Sequence, residues 1–299
     1  MSDKKTNRLP YGIHTALVTP FTYGGVDEDG FARLLGIQGE SGVAGAVVLG
    51  TTGESPTVTG AERDTLISLA VKTLGGKKAV TVGCGGNDTG KTVKACKRAA
   101  ALGADFVLTV TPYYNRPSQR GLLRHFLTVA EDSPLPVVIY NVPSRTGVDI
   151  SADALAVLSA HENVAGYKEA SSDLCSVTEK MQAAPGLPFF CGSDTLMYHF
   201  LCLGARGAVS VCSNIVPDKT CLITELFKKG DAEGAKNAFF ALYPFLQALC
   251  LDVNPVPIKT VMEAAGLISA KVRPPLCAVG ADVKTKLLCA AEEAGITLY

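Results

Sequence analysis

The sequence predicts an α/β protein, a (β/α)8 barrel with a C-terminal helical appendage. Short runs rich in Val, Ile, Leu and Phe recur about every 25 residues, each followed by a stretch with helical spacing. This pattern is typical of strands buried on both faces of a parallel sheet. Links of two or three residues lead into several strands, which favours a closed barrel. A doubly wound sheet more often has GxGxxG after its first strand, and here Thr19-Pro20-Phe21 follows instead.

Eight apolar runs are the predicted barrel strands. Before three of them a glycine follows the helical stretch, at Gly42, Gly103 and Gly204, where a left-handed residue could end the helix. The predicted strands are Ile13–Val18, Ala44–Leu49, Ala79–Val82, Phe106–Val110, Val137–Tyr140, Val164–Lys168, Phe189–Cys191 and Ala208–Val211.

The residues after Val211 are predicted to be helical throughout, with Gly and Pro breaks between the helices. We therefore expect an N-terminal tail at 1–12, the barrel with its active site at 13–211, and a helical region packed on it at 212–299. The predicted helices are Asp218–Lys229, Asp231–Leu251, Ile258–Ala265 and Asp282–Ala294.

Composition excludes several classes of protein. The 299 residues carry 28 basic and 28 acidic side chains, so the formal net charge is zero. A nucleic-acid or anionic-membrane partner would favour a basic surface, and we expect neither. The ten cysteines show no CxxC and no Cys/His spacing typical of metal ligands. We therefore expect free thiols in a reducing compartment and no metal.

The same composition predicts a cytoplasmic protein. The first eleven residues are polar and contain no apolar core, so we expect no secretory signal. The most apolar long segment, Ala238–Leu251, is too short to span a bilayer and is interrupted by Pro244.

Polar residues end or follow five of the predicted strands. In (β/α)8 barrels the active site lies at the carboxyl ends of the strands, so these residues are the candidates for chemistry. They are Gly50-Thr51-Thr52-Gly53-Glu54-Ser55, Thr111-Pro112-Tyr113-Tyr114-Asn115, Tyr140-Asn141-Val142-Pro143-Ser144-Arg145-Thr146-Gly147, Lys168-Glu169 and Gly192-Ser193-Asp194.

Lys168 is the candidate nucleophile. By strand alternation it shares the inward face with Val164 and Gly166. A lone lysine at a strand end is most often solvated, because lysines are rarely buried unless they are paired. The functional alternative is a desolvated amine that forms a Schiff base with a carbonyl substrate. Phenols, hydroxyls and Arg145 at neighbouring strand ends favour an acidic carbonyl substrate.

Each of the other candidates also has an ordinary structural interpretation. The hydroxyls of Thr51 and Thr52 could cap the following helix, or they could hold a carboxylate together with backbone N–H groups. Tyr140 could fill the core, or its phenol could transfer protons beside an imine. Arg145 could be a solvated loop residue, or a bidentate clamp for a carboxylate.

In combination these motifs resemble the class I pyruvate-dependent aldolases and synthases. The resemblance extends from Ile13 to about Ile296 and is strongest to members that condense pyruvate with aspartate semialdehyde in lysine and diaminopimelate biosynthesis. The motifs that carry it are Gly50-Thr51-Thr52-Gly53-Glu54, Thr109-Val110-Thr111-Pro112-Tyr113-Tyr114-Asn115-Arg116-Pro117-Ser118-Gln119, Tyr140-Asn141-Val142-Pro143-Ser144-Arg145-Thr146-Gly147, Lys168-Glu169-Ala170 and Asn254-Pro255-Val256-Pro257-Ile258-Lys259.

The resemblance implies a lyase that works through a lysine imine. Lys168 would attack the ketone of pyruvate, and the resulting enamine would add to the aldehyde of the semialdehyde. Tyr140, Thr51 and Tyr114 would form a proton relay, with Tyr114 reaching in from a neighbouring subunit. The resemblance also implies a homotetramer of two tight dimers and no metal or organic cofactor.

Substrate contacts follow from the same resemblance. Thr52 would hold the pyruvate carboxylate, and Arg145 would hold the carboxylate of the semialdehyde. The Val209 backbone would line the pyruvate side of the pocket.

Two alternatives stay open at this point. Related aldolases, such as N-acetylneuraminate lyase and 2-keto-3-deoxy sugar acid aldolases, share the barrel and the lysine. The sialate lyase differs by having Ser-Thr where this chain has Thr51-Thr52, and by lacking an arginine that corresponds to Arg145. A non-catalytic barrel that binds a keto acid is the other alternative, although such a module needs no activated amine.

The sequence departs from the family at the position that binds inhibitory lysine in some members. Those members use a glutamate four residues after the position of Asn87, and here that position is Lys91. Two histidines of bacterial members are replaced by Gly60 and Arg63. The sequence therefore predicts a lysine-insensitive enzyme, although part of the polar frame is retained at Ser55, Asn87 and Tyr113.

Overall fold

The computed structural model describes residues 7–298, and eight of its strands close into a barrel. In chain order the strands are β1 (Gly12–Ala16), β2 (Phe21–Thr22), β3 (Gly25–Val26), β4 (Gly45–Val48), β5 (Ala79–Gly83), β6 (Phe106–Val110), β7 (Val137–Asn141), β8 (Val164–Glu169), β9 (Phe189–Cys191) and β10 (Gly207–Ser210). The barrel order is β1-β10-β9-β8-β7-β6-β5-β4, and β2 pairs with β3 in a separate sheet. All eight predicted strands are confirmed, with ends that differ by at most two residues.

Helices connect the parallel strands, as the alternating pattern predicts. They are α1 (Glu28–Glu40), α2 (Gly60–Leu74), α3 (Thr89–Ala101), α4 (Gln119–Asp132), α5 (Pro143–Thr146), α6 (Ala152–Ser159), α7 (Leu174–Ala183), α8 (Met197–Cys202), α9 (Pro217–Lys228), α10 (Ala232–Ala248), α11 (Val256–Ala264) and α12 (Ala281–Glu293). Many begin after a side chain that accepts an N–H of the first turn, which satisfies a donor that the helix itself cannot. These caps are Asp27, Thr59, Asp88, Ser118, Ser151, Asp173 and Asp231.

The predicted break between the last two helices is confirmed, and one local expectation is wrong. The stretch 265–280 between α11 and α12 is not helical, and it contains Pro274 and Pro275, which lack the backbone N–H that a helix needs. Gly103 and Gly204 do take the left-handed conformation, with φ of 90° and 102°, but Gly42 does not. Helix α1 ends instead at Ser41, whose N–H donates to the carbonyl of Ile37.

Two compact units make up the described chain. The first comprises residues 7–11 and 81–208, and the second comprises residues 12–80 and 209–298. The division predicted from the sequence, with boundaries at residues 12 and 211, stays a prediction.

In the first unit the N-terminal segment lies against β8. The Leu9 N–H donates to the carbonyl of Ala165 at 3.2 Å, and Arg8 Nη1 donates to the carbonyl of Val164 at 2.9 Å. The pairing of β7 with β8 passes from Val137 opposite Val164 to Val138 opposite Gly166, which leaves Ala165 as an extra residue on β8. Such a bulge disrupts the hydrogen-bond ladder locally. The carbonyl of the bulged residue, Ala165, accepts its hydrogen bond from the N–H of Leu9.

In the second unit a buried polar network joins β1 to the segment after β10. Asn214 Nδ2 donates to the carbonyl of Ala16 at 2.7 Å, and Asn214 Oδ1 accepts from the N–H of Val18 at 3.1 Å. Ser213 Oγ donates to Thr15 Oγ1 at 2.9 Å. Helix α9 packs on β1 in the same unit. Because these groups are buried, each bond avoids the cost of an unpaired polar atom.

The described chain contains no helix that is long and apolar enough to cross a membrane. All ten cysteines are free thiols, five of them buried and five exposed.

Candidate active site

A lysine and a tyrosine face each other at adjacent strand ends in the first unit. Strand pairing places Tyr140 of β7 opposite Lys168 of β8. Both are buried, with exposed fractions of 6% for Tyr140 and 7% for Lys168. The Lys168 Nζ atom lies over the Tyr140 ring, 4.0 Å from its centroid. Lys168 is therefore a buried amine held against a phenol rather than the solvated strand-end lysine of the alternative interpretation.

Gly192 leaves room for the Lys168 side chain. It directly follows β9, and its N–H donates to the carbonyl of Glu169 at 2.7 Å. A Cβ atom at this position would lie 3.0 Å from Lys168 Cε and 2.9 Å from the Cβ of Ala170. Both separations are shorter than ordinary van der Waals contacts, so a side chain at position 192 would displace the lysine stem.

An ionic network lies behind the pair, carried by the next residue of each strand. Asn141 Nδ2 donates to both carboxylate oxygens of Glu169, at 3.0 and 2.9 Å. Lys180 Nζ of α7 bridges Asp149 Oδ1 at 2.6 Å and Glu169 Oε2 at 3.1 Å. Tyr167 donates to Glu169 Oε2 at 3.1 Å. Complete burial, followed by the nearby carboxylates, raises the pKa of Tyr167 well above its ordinary value, so it remains a donor.

This network was missed from the sequence. Successive side chains of a strand point to opposite faces. The network therefore lies on the same two strands as the pair Lys168–Tyr140, but on their opposite face. Glu169 carried one usable signal, since a carboxylate that follows a buried strand needs a cation or several donors. Nothing in the sequence identified Lys180 as that cation.

Two further candidates of the first unit lie on the exposed connections that follow β6 and β7. Arg145 is an exposed residue of α5, a single turn that ends at the left-handed Gly147. Tyr114 has a φ of 72° and an exposed fraction of 89%. Arg116, with a φ of 42°, donates from Nε to the carbonyl of Gly147 at 3.1 Å, which links the two loops. Residues with positive φ cost about 1–3 kcal/mol each and concentrate at functional sites.

In the second unit, Thr51 and Thr52 lie in a tight turn after β4. The turn lies between two left-handed residues, Leu49 with a φ of 58° and Glu54 with a φ of 51°. Within residues 7–298 no group accepts from the backbone N–H of Thr51 or Thr52. Successive free N–H groups in such a turn form a site for an anion. The alternative that these threonines cap a helix is wrong, because Thr59 caps α2.

The C-terminal region holds this turn. Asn254 Nδ2 donates to Thr52 Oγ1 at 3.0 Å. Lys259 Nζ donates to Glu54 Oε1 at 2.5 Å, and the N–H of Arg273 donates to Glu54 Oε2 at 3.0 Å. Burial lowers the pKa of Lys259 to about 8, although the Glu54 carboxylate opposes the shift. This ion pair was also missed from the sequence.

The remaining predicted site residue, Val209, lies in β10 of the second unit and is buried. In the described chain no cluster of three or more His, Cys, Asp or Glu side chains could hold a metal ion. The expectation of a reaction without metal or cofactor stays a prediction.

A (β/α)8 barrel that buries a lysine amine against a tyrosine ring at adjacent strand ends has the groups that a class I aldolase-type lyase uses. A family model described as the dihydrodipicolinate synthetase family matches residues 9–294. The chain belongs to the dihydrodipicolinate synthetase family.

Individual relatives agree with this assignment over nearly the whole chain. A 4-hydroxy-tetrahydrodipicolinate synthase of Kosmotoga olearia is 39% identical over 289 residues, which cover 95% of this chain and 98% of that protein. The crystal structure of dihydrodipicolinate synthase from Thermotoga maritima matches with a TM-score of 0.94 at 37% identity, covering 97% of this chain and 100% of that one. The structure of DHDPS from Cyanidioschyzon merolae with lysine bound matches with a TM-score of 0.93 at 33% identity, with the same coverage.

Proposed function

We propose that this protein condenses pyruvate with aspartate 4-semialdehyde to give 4-hydroxy-tetrahydrodipicolinate, a step of diaminopimelate and lysine biosynthesis. The observation that carries the proposal is the contact between the Lys168 amine and the Tyr140 ring at 4.0 Å. A buried amine beside a phenol has the nucleophile and the proton carrier that imine chemistry requires. Family membership supports the choice of both substrates.

The chemistry begins with attack of the Lys168 nitrogen on the ketone carbon of pyruvate. Water leaves, and a C=N double bond joins the lysine to the substrate. Loss of a methyl proton gives an enamine, whose terminal carbon forms a bond with the aldehyde carbon of the semialdehyde. The amine of the second substrate then attacks the imine carbon, which closes the ring and breaks the bond to Lys168.

Protons must reach and leave the carbonyl oxygens during these steps. We assign the relay to Tyr140, Thr51 and Tyr114. The position of the Tyr140 ring against Lys168 supports its role directly. The left-handed backbone and 89% exposure of Tyr114 suit a side chain that reaches into the site of a neighbouring subunit.

Two carboxylates need partners during the reaction. We assign the pyruvate carboxylate to Thr52, because its turn presents unpaired N–H groups, with the Val209 backbone beside it. We assign the semialdehyde carboxylate to Arg145, whose exposed guanidinium can form a bidentate pair.

Borohydride trapping tests the imine. Incubation with pyruvate and borohydride should add one reduced pyruvate per chain, on the peptide that contains Lys168. The adduct should be absent from Lys168→Ala and present in Lys236→Ala, which removes a surface lysine paired with Glu233. A label on Lys259 or Lys180, the other buried lysines of the described chain, would refute the assignment. Absence of any adduct would favour the non-catalytic keto-acid-binding barrel.

The second substrate is tested by turnover. Consumption of aspartate semialdehyde should exceed that of N-acetylneuraminate and of 2-keto-3-deoxy sugar acids. Arg145→Ala should lower kcat/KM for the semialdehyde by about ten- to a hundredfold, the cost of one charge-assisted hydrogen bond. Pyruvate trapping should be almost unchanged in this variant, and an equal loss for both substrates would contradict the role.

We further propose a cytoplasmic homotetramer built as a dimer of dimers. The ten free thiols support a reducing compartment. The exposed Tyr114 supports an interface at its loop. Sedimentation analysis would measure the oligomeric state. Tyr114→Phe should lower kcat and leave the oligomeric state unchanged.

A further inference from the structure

The segment Asn254–Lys259 contacts the Thr51–Glu54 turn at two places, although about 200 residues of sequence separate them. Asn254 reaches the Thr52 hydroxyl, and Lys259 reaches the Glu54 carboxylate. Both contacts lie within the second unit. The segment contains none of the groups assigned to the chemistry above, so its contacts require another explanation.

Asn254 contacts the hydroxyl group of Thr52. Its Nδ2 donates to Thr52 Oγ1 at 3.0 Å, so the hydroxyl oxygen is already engaged as an acceptor. The hydroxyl hydrogen is then left to donate to another group, and a carboxylate accepts such a bond well. The Asn254 Oδ1 atom is buried and has no partner within residues 7–298. The side-chain hydrogen bond that Asn254 makes among these residues is therefore the one from its nitrogen to Thr52.

Lys259 holds the other end of the turn through Glu54. Lys259 is fully buried, and Nζ contacts Glu54 Oε1, the Lys271 carbonyl at 2.8 Å and the face of the Phe21 ring at 4.4 Å. Glu54 is also buried, and its second oxygen accepts from the Arg273 N–H. Because Glu54 has a left-handed backbone, its conformation depends on these contacts.

We propose that Asn254 and Lys259 are positioning residues that hold the Thr51–Thr52 turn in the conformation that binds the pyruvate carboxylate. The inference rests on the proposed function, since it concerns how that site takes its first substrate. Neither residue touches a reacting atom. Their effect is on the affinity for pyruvate, and not on the second substrate.

Asn254→Ala tests the first contact. The pyruvate concentration that half-saturates borohydride trapping should rise by about three- to tenfold, the loss expected for one hydrogen bond. The trapping rate at saturating pyruvate and the KM for the semialdehyde should not change. A purely structural role would lower the thermal stability or kcat without this selective change in half-saturation.

Lys259→Met, Glu54→Gln and the double variant test the ion pair. Each single variant leaves one buried charge without its partner, so the turn should shift and half-saturation should rise by about tenfold or more. The double variant has no unpaired charge, and its half-saturation should recover toward the wild-type value. Glu62→Gln is the matched control, because Glu62 pairs with Arg273 in the same cluster without contacting the turn. It should leave half-saturation unchanged.

The outcomes separate this inference from the proposed function. If the wild-type protein is not labelled by pyruvate and borohydride, the proposed function fails. If the wild-type protein is labelled but Asn254→Ala and the folded single variants of the ion pair have wild-type half-saturation, the positioning role is overturned. If Lys259→Met does not fold, the pyruvate half-saturation of Asn254→Ala and of Glu54→Gln tests the positioning role.

Discussion

Replacing Gly192 by alanine would place a methyl group beside the stem of the imine-forming lysine. The added Cβ would lie 3.0 Å from Lys168 Cε, 3.0 Å from the Glu169 carbonyl oxygen and 2.9 Å from Ala170 Cβ. The Glu169 carbonyl accepts from the N–H of residue 192 at 2.7 Å, so the backbone at residue 192 cannot move away from the backbone at Glu169 without losing that hydrogen bond. The Lys168 side chain is the flexible partner and should move.

The size of the effect follows from these distances. Relief to an ordinary contact requires a shift of a few tenths of an ångström. Overpacking of this kind costs about 1–3 kcal/mol of stability, which a chain of this size should tolerate. Misplacement of a reacting group by 1 Å can cost about a hundredfold in rate, so this shift predicts a loss of about five- to tenfold. The expected result is a folded enzyme with slow imine formation.

The assay is the rate of borohydride-trapped adduct formation at saturating pyruvate, measured by intact mass, beside urea unfolding. Gly186→Ala is the control, because a Cβ at that position of the same unit would meet nothing within 4 Å. It should form the adduct at the wild-type rate. If Gly192→Ala forms the adduct as fast as Gly186→Ala, then the room that Gly192 leaves does not matter for the lysine, and the reasoning is refuted.

Three further outcomes are expected. Lys180→Met should lower the free energy of unfolding, measured by urea titration, by about 3–5 kcal/mol, because it leaves the Glu169 carboxylate buried without a cation. The control Lys236→Met removes an exposed ion pair and should lower it by less than about 1 kcal/mol. Burial lowers the pKa of His125 to about 4, so between about pH 6.5 and 4 the unfolded chain binds the proton and the folded chain does not. The free energy of unfolding should therefore fall as the pH falls through this window. NMR titration of His125 should give the lowered pKa, and a pKa near 6.5 would contradict the burial argument. Activity should resist lysine, with half-inhibition above about one millimolar. The sequence has Lys91 at the position where the resemblance implies an inhibitor-binding glutamate, and two ammonium groups 4 Å apart would repel by about 1–4 kcal/mol. Half-inhibition at lower concentrations would contradict this interpretation of Lys91.

The barrel could be predicted because its strands carry an unambiguous local pattern. Runs such as Val137–Tyr140 are apolar on both faces, which is typical of a strand covered on both sides, and their alternation with helical stretches favours that interpretation. The closed barrel then followed from eight repeats of strand and helix joined by short links. The break between the last two helices could be predicted as well, because the stretch 265–280 contains two adjacent prolines and forms no helix.

The contact between Lys168 and Tyr140 was only partly predictable. The sequence places both at strand ends on one edge of the barrel, but the contact depends on strand register. That register includes the extra residue Ala165 on β8, which no local pattern indicated.

The ionic contacts were beyond sequence reasoning for a different reason. Lys180 meets Asp149 across 31 positions and Glu169 across 11, and Lys259 meets Glu54 across 205. Such pairs depend on how whole elements pack, and the charges themselves look like those of any solvated residue. Buried carboxylates do predict that a partner exists, but they do not identify it.

The bonds of Arg8 and Leu9 to β8 affect how the protein should be expressed. These residues look dispensable, since they precede the first strand and carry no assigned role. A truncated chain that starts at Gly12 would nevertheless uncover the carbonyls of Val164 and Ala165. It would also expose the apolar surface that Leu9 covers beside Gly166. The damage would fall on the strand that ends in Lys168, so an affinity tag belongs ahead of this segment and not in its place.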